Sequence, residues 1–312
     1  MIPASSPFWV IVEGMKGRRV AKFERVLNTS LPRADARWSD AACDPNDAVA
    51  LAHRARTLRA AWRSPVADRL EFLIERCRGK SILDIGCVAH DIGRMKSSDW
   101  LHGRLAAVAE QCLGLDVLQE GVDEMRRMGF DAVAHDLSLG PGPVADRAPF
   151  DVIVAGELIE HLGSIDMLFD SAAGLLCPGG SLIITTPNPY APDRVRAGQR
   201  GYVWENADHI LYAFPSGIAE LAERHGLVLA EAACTTDARS RRTAKEFLKD
   251  LRRWLRGDQW TPLGITSLGA PEVRHISPWR LGRIFDRFNP NPRFLGETFI
   301  YVVQPGMTVG TP

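Results

Sequence analysis

Between Ser81 and Pro187 the chain repeats one pattern five times: a short apolar run, SILDIGC, CLGLDVL, FDAVAHDL, FDVIVAGEL or SLIITTP, ending on glycine, a carboxylate or threonine. Runs this short and this uniformly apolar read as strands covered on both faces, and the longer amphipathic stretches between them read as crossover helices. That alternation predicts an α/β chain with a doubly wound, mostly parallel sheet. Two further strand candidates follow, LVLAEAAC from 227 and ETFIYVVQP from 297. Upstream, DAVALAHRARTLRAAW and VADRLEFLIERC carry apolar residues at helical spacing, so residues 1–79 are expected to form a helical N-terminal cap on a domain covering 80–312. Within that domain a basic helical insertion is expected at about 238–295, containing AKEFLKDLRRWLRG and the Pro/Gly-interrupted TPLGITSLGAPEVRHISP.

Composition narrows the partners. The formal net charge is zero, so no global field favours nucleic acid or a membrane surface, and nucleic acid is not an expected partner. The basic run with Lys245, Lys249, Arg252, Arg253 and Arg256 reads first as a solvated helix face, with phosphate or membrane contact as the alternative. Six cysteines without a C-x-x-C pair, several inside apolar runs, read as reduced core residues of a cytoplasmic protein. The N-terminal apolar stretch precedes its basic residues, the reverse of a secretory signal, and no transmembrane segment is expected because no apolar run reaches bilayer length. Oligomeric state is not legible.

Open parallel sheets bind ligands beyond the carboxyl ends of their strands. Those ends carry Asp84 and Gly86, then Asp116, then Asp136 and Leu137, then Gly156 and Glu157. A carboxylate after the second run suits ribose hydroxyls, and glycine in the first turn permits close approach of a ligand. The pyrophosphate cradle G-x-G-x-x-G is absent from these turns, so the set suits a nucleoside cofactor without pyrophosphate.

SILDIGC, GLD, AHDL, FDVIVAGELIEHL and LLCPGGSLIITTPNP, in that order, resemble the successive motifs of class I S-adenosylmethionine-dependent methyltransferases over roughly residues 80–236 and the strand near 297. The resemblance implies a Rossmann-like, doubly wound sheet of seven strands whose last strand is antiparallel. It also implies S-adenosylmethionine as cofactor, with Asp84 and Gly86 beside the methionine portion, Asp116 on the ribose, Asp136 and Leu137 at the adenine, and Gly156 lining the same cleft. The sequence departs from the family pattern D-x-G-x-G-x-G, since Val88 and His90 stand at the later glycine positions, and Asp116 follows Gly86 by an unusually long 30 residues.

GELIEHL raises a second expectation. If the chain turns helical after the strand, Glu157, Glu160 and His161 share one face at spacing i, i+3 and i+4. With Thr186-Pro187-Asn188 and Ala207-Asp208-His209 downstream, the pattern resembles the small-RNA 2′-O-methyltransferases of plants and their bacterial relatives. That resemblance implies a divalent cation, Mg²⁺, Mn²⁺ or Co²⁺, held by Glu157, Glu160, His161 and His209, with Glu160, His161 and His209 at the chemistry. A cation would lower the pKa of an acceptor hydroxyl and orient it. A metal-free general base and a purely structural turn are the alternatives. Isolated histidines, His102 and His135 among them, read as packing or surface residues.

The acceptor is the least legible feature. Tyr190, Arg194, Arg196, Arg200, Tyr202 and Trp204 suit a sugar, a phosphorylated glycan or a nucleotide. A similarity to bacterial chains with WLHGRLA and N-x-DH stretches implies a glycan or glycoconjugate. The leading expectation is therefore metal-assisted O-methylation of a sugar-containing acceptor. Metal-independent O- or N-methylation of a small metabolite, and a degenerate binding module of the same fold, are the alternatives.

Overall fold

The computed structural model describes residues 44–88, 92–199, 201, 203–235 and 296–306. The expected basic insertion, His90, Arg200 and Tyr202 lie outside the described residues. In chain order the principal elements are α1 (Ala48–Arg63), β1 (Pro65–Val66), α2 (Arg69–Cys77), β2 (Ser81–Ile85), α3 (Leu101–Ala106), β3 (Gln111–Asp116), α4 (Gln119–Arg127), β4 (Asp131–Ala134), β5 (Phe150–Gly156), α5 (Asp166–Leu175), β6 (Leu176–Pro187), α6 (Pro192–Gln199), α7 (Pro215–Arg224), β7 (Leu227–Thr235) and β8 (Thr298–Pro305). Every strand expected from the apolar runs is present.

The strands form one sheet in the order β1-β7-β8-β6-β5-β2-β3-β4. All neighbouring pairs are parallel except those of β8, which runs antiparallel to both β6 and β7. The eighth strand, one more than the sequence indicates, is the two-residue edge Pro65–Val66 pairing with Cys234 and Thr235. Proline at position 65 costs the sheet nothing there, because an edge strand has one row of backbone groups unpaired in any case.

Alternation along each strand divides the core into two layers. Leu83, Ile153, Leu182, Ile184, Phe299 and Tyr301 face one side, where they meet Ala61 of α1, Phe169 of α5 and Ile218 of α7. Ile82, Val152, Val154, Ile183 and Ile300 face the other, against Leu73 and Cys77 of α2 and Leu105 of α3. Each buried Leu, Ile or Phe contributes about 1.5–3 kcal/mol. Tyr301 is fully buried, and its hydroxyl donates to Ala213 O at 2.9 Å, so no polar atom is stranded. Helices α1 and α2 begin on aspartate caps: Asp47 accepts from Val49 N, and Asp68 from Leu70 N and Glu71 N. Among the described residues no helix is long and apolar enough to cross a membrane.

A buried polar pair interrupts the apolar pattern of β2. Asp84 of β2 is 2% exposed, and its Oδ2 lies 2.9 Å from Nδ1 of His102, which is 0% exposed on α3. The imidazole packs between the rings of Trp100 and Phe130, and its Nε2 has no hydrogen-bond partner. His102 is thus the buried hydrogen-bond partner of Asp84 rather than ordinary packing, and Asp84 is engaged beneath the first turn. Removing one partner strands the other in apolar surroundings. His102→Leu should therefore cost about 3–5 kcal/mol in urea unfolding, and Asp84→Leu/His102→Leu together should cost less than His102→Leu alone. A single-mutant cost under about 1 kcal/mol would show that the pair is not a buried charge interaction.

Candidate functional site

The carboxyl ends of β2, β3 and β4 build one half of the site. Gly86 follows β2 with φ +76°, a conformation that favours glycine, and a Cβ there would stand 2.9 Å from Leu158 Cδ1, which would have to move aside. Asp116 ends β3 and is 8% exposed. Its Oδ2 accepts from Val88 N at 2.9 Å and its Oδ1 from Leu118 N at 3.0 Å, which joins the first turn to the second. Each oxygen keeps a further lone pair for a ligand hydroxyl. Beside it Val117 and Leu118 are 64% and 50% exposed, an apolar rim next to a hydroxyl acceptor. A carboxylate with spare acceptors flanked by exposed aliphatic side chains fits a nucleoside, with sugar on the former and base on the latter.

The other expected cofactor residues divide. Asp136 caps a single turn, Leu137–Leu139, accepting from Ser138 N, and remains exposed. Leu137 is 8% exposed and packs in the main core, so its side chain works there rather than as open surface. At Gly156 a Cβ would meet Leu101 Cδ2 at 2.7 Å, so glycine there makes room for α3 packing.

The second half begins where β5 ends. Glu157 adopts φ +53°, a left-handed conformation uncommon for a residue with a side chain. This kink, and the single short turn Ile159–His161 after it, replace the helical start expected from GELIEHL. Glu157 consequently does not share a helical face with Glu160 and His161. Its N–H donates to Thr185 O and Oγ1, at 2.9 and 3.1 Å. Its Oε1 lies 3.7 Å from Arg69 Nη1 of α2 and has no hydrogen-bond partner although buried. Burial pushes the Glu157 carboxyl up, against the nearby Arg69 guanidinium and the Thr185 bond, which lower it.

Glu160 is fully buried. Thr186 Oγ1 donates to its Oε2 at 3.0 Å, while its Oε1 is buried without a hydrogen-bond partner. Burial first, and the Glu157 carboxylate second, push its pKa up to about 7. The segment from Val203 to Leu211 folds over this turn, since Ile210 N donates to Glu160 O at 2.8 Å. That bond brings His209 to His161, their rings edge to face with centroids 4.7 Å apart.

One ligand atom from each of Glu160, His161 and His209 lies within 4.8 Å of the others, so three of the four residues expected to hold a cation converge. Glu157 is outside that group. Buried carboxylate oxygen and imidazole nitrogen form a donor set that fits a borderline divalent ion, and Glu160 Oε1 has no hydrogen-bond partner among the described residues. The same groups could instead share a proton with an acceptor hydroxyl.

Two carboxylates with no role expected from the sequence, Glu205 and Asp208, complete the arrangement. Glu205, 5% exposed, bonds His209 Nδ1 at 2.6 Å through Oε2 and pairs with Arg194 through Oε1. Asp208 Oδ2 lies 3.2 Å from His161 Nδ1. Tyr212 bonds the Glu205–Arg194 pair, and burial with the Glu205 charge pushes its hydroxyl up to about 12. Arg194, expected among acceptor contacts, is half-buried and pairs with Glu205. Tyr190 is 37% exposed, its ring 5.8 Å from that of Phe214.

With this geometry in place, comparison with known proteins locates the chain. A probable S-adenosylmethionine-dependent methyltransferase of Mycolicibacterium smegmatis is 28% identical over 178 residues, covering 51% of this chain and 65% of that protein. The mitochondrial ubiquinone biosynthesis O-methyltransferase of Mus musculus is 28% identical over 166 residues, covering 48% and 41%. The matched region therefore spans less than two-thirds of either relative. A solved S-adenosylmethionine-dependent methyltransferase from Archaeoglobus fulgidus has a TM-score of 0.42 and 14% identity, covering 75% of this chain and 90% of that one. The methyltransferase domain family matches residues 53–232, more than half of the 312, and the chain belongs to that family.

Proposed function

We propose that the chain is an S-adenosylmethionine-dependent O-methyltransferase whose acceptor hydroxyl is held over Glu160, His161 and His209 by a divalent cation bound to those three residues. The observation that carries this reading is the convergence of their ligand atoms around a buried carboxylate oxygen without a hydrogen-bond partner. On the cofactor side Asp116 accepts from the ribose hydroxyls, Val117 and Leu118 flank the adenine with Asp136 at its edge, and the Gly86 turn approaches the methionine portion. The cofactor supplies an electrophilic sulfonium methyl, and the cation supplies a Lewis acid that lowers the hydroxyl pKa. The chain's residues orient these groups and exclude water.

A cation with three protein ligands suits an acceptor with two neighbouring oxygens, and a sugar-containing glycan or glycoconjugate is a class that offers them. The second reading is metal-free methylation of a small hydroxyl metabolite with Glu160 or His161 as base. It is favoured by the Glu160 pKa of about 7 and by relatives whose names include ubiquinone biosynthesis O-methyltransferase. Methyl transfer from labelled donor to a panel of diols, sugars and phenols, with and without chelator, separates the two. Transfer that survives chelator overturns the cation reading.

Asp116→Ala should weaken S-adenosylhomocysteine binding about 10- to 100-fold by calorimetry, the loss of charge-assisted hydrogen bonds worth about 1.5–3 kcal/mol. Unchanged affinity in the folded variant would remove Asp116 from the ribose.

Glu160 sets the pH dependence. Its carboxyl must ionise to hold a cation, so Co²⁺ or Mn²⁺ affinity should fall about tenfold per pH unit below about 7, with proton release on binding near that pH. For the cation-free protein the sign is also fixed. Between the ordinary carboxyl value of 4.5 and about 7 the folded state binds more protons than the unfolded, so stability should decline as pH rises through that window and level off above it. Glu160→Gln should flatten that decline in thermal melts and abolish the metal binding. A wild-type profile flat from pH 4.5 to 7 would show that Glu160 ionises as freely as an exposed carboxyl.

A further inference from the structure

A histidine can ligate a cation only through a nitrogen bearing a lone pair, and which nitrogen that is depends on what the other one touches. We propose that Glu205, clamped by Arg194, is a positioning residue that keeps His209 protonated at Nδ1 and so presents its Nε2 to Glu160 and His161. The inference rests on the cation reading of that cluster but concerns residues no motif assigns.

Three observations carry it. Glu205 is 5% exposed and its Oε2 is 2.6 Å from His209 Nδ1; a carboxylate accepts, so Nδ1 carries the proton. The second oxygen is held by Arg194 Nε, and Arg194 Nη1 donates to Glu297 O at 2.8 Å and to Asn188 O at 3.4 Å. Arg194 thereby fastens Glu205, which lies in a segment without regular structure, to the end of β6 and the start of β8. Lastly, Asn206 Nδ2 stands 3.4 Å from His209 Nε2, an amide donor facing the nitrogen left as acceptor. Asn206 is exposed and can turn away when a cation arrives.

The two imidazoles are not held alike. His161 Nδ1 faces Asp208, whose side chain is 55% exposed, at 3.2 Å. A solvated carboxylate orients weakly, whereas a buried one with a fixed guanidinium partner orients strongly. The carboxylate that matters for ligand geometry is therefore Glu205 rather than Asp208.

The test combines nitrogen-resolved histidine NMR of the metal-free protein with Co²⁺ calorimetry, on wild type, Glu205→Gln, Arg194→Lys and Asp208→Asn. Wild-type His209 should be the Nδ1–H tautomer. Glu205→Gln should lose that preference and bind Co²⁺ about 10- to 100-fold more weakly, with S-adenosylhomocysteine affinity unchanged as the check on folding. Arg194→Lys, which keeps the charge but loses the fork, should move both readouts in the same direction by less, and it serves if Glu205→Gln does not fold. Asp208→Asn should weaken Co²⁺ by less than about threefold. Wild-type His209 protonated at Nε2, or Co²⁺ affinity within about twofold of wild type in folded Glu205→Gln, would overturn the assignment. If wild type binds no Co²⁺ while the tautomer behaves as expected, the cation reading falls and Glu205 still positions the imidazole.

Discussion

The seating of β6 between β5 and β8 is the constraint on which the Glu157–His161 half of the site depends. β6 is parallel to β5 and antiparallel to β8, so its carboxyl end emerges level with the turn after β5 and with the chain entering β8. At that point an apolar strand turns polar while still buried: Thr185, Thr186 and Asn188 are all 0% exposed. Buried polar atoms must be paired. Thr185 Oγ1 accepts from Glu157 N and Arg69, Thr186 donates to Glu160, and Asn188 Nδ2 donates to Gly296 O. The register of one strand thus dictates where Glu157 and Glu160 can sit.

Burial then gives the site its chemistry. Glu160 has one oxygen satisfied by Thr186 and one left without a hydrogen-bond partner, in a place where a charge is costly unless matched. Two outcomes relieve that cost, a proton or a cation. The adjacent imidazoles of His161 and His209 are able to serve either. The left-handed kink at Glu157 separates the first carboxylate from the cluster and directs it toward Arg69, so the two glutamates of GELIEHL have different surroundings despite being three residues apart.

On the cofactor side the same logic is milder. Asp116 binds the two backbone N–H groups of Val88 and Leu118, so the turn that lacks the usual later glycines is still fastened to the end of β3. Val88 packs directly on Gly121 of α4, where a Cβ would come within 2.3 Å of it. A larger side chain in the loop is met by a smaller one on the helix.

The sequence by itself determined seven of the eight strands among the described residues and which polar residues stand at their carboxyl ends. Apolar period and strand-end residues are local properties, repeated from Ser81 to Pro187, and a fully covered parallel sheet leaves few other ways to bury them. Glu160, His161 and His209 were singled out by a resemblance of motifs, and it is the fold that brings their side chains together. The tertiary structure alone decided the rest. That Glu157 leaves the cluster follows from a single φ angle, which no spacing encodes. That Asp84 pairs with His102 follows from α3 packing across β2, and that Arg194 serves Glu205 follows from the path of a segment without period. Such contacts join residues far apart in the chain. Their partners are chosen by which polar atoms burial leaves unpaired once the sheet has closed, a condition set by the whole fold and not by any stretch of sequence.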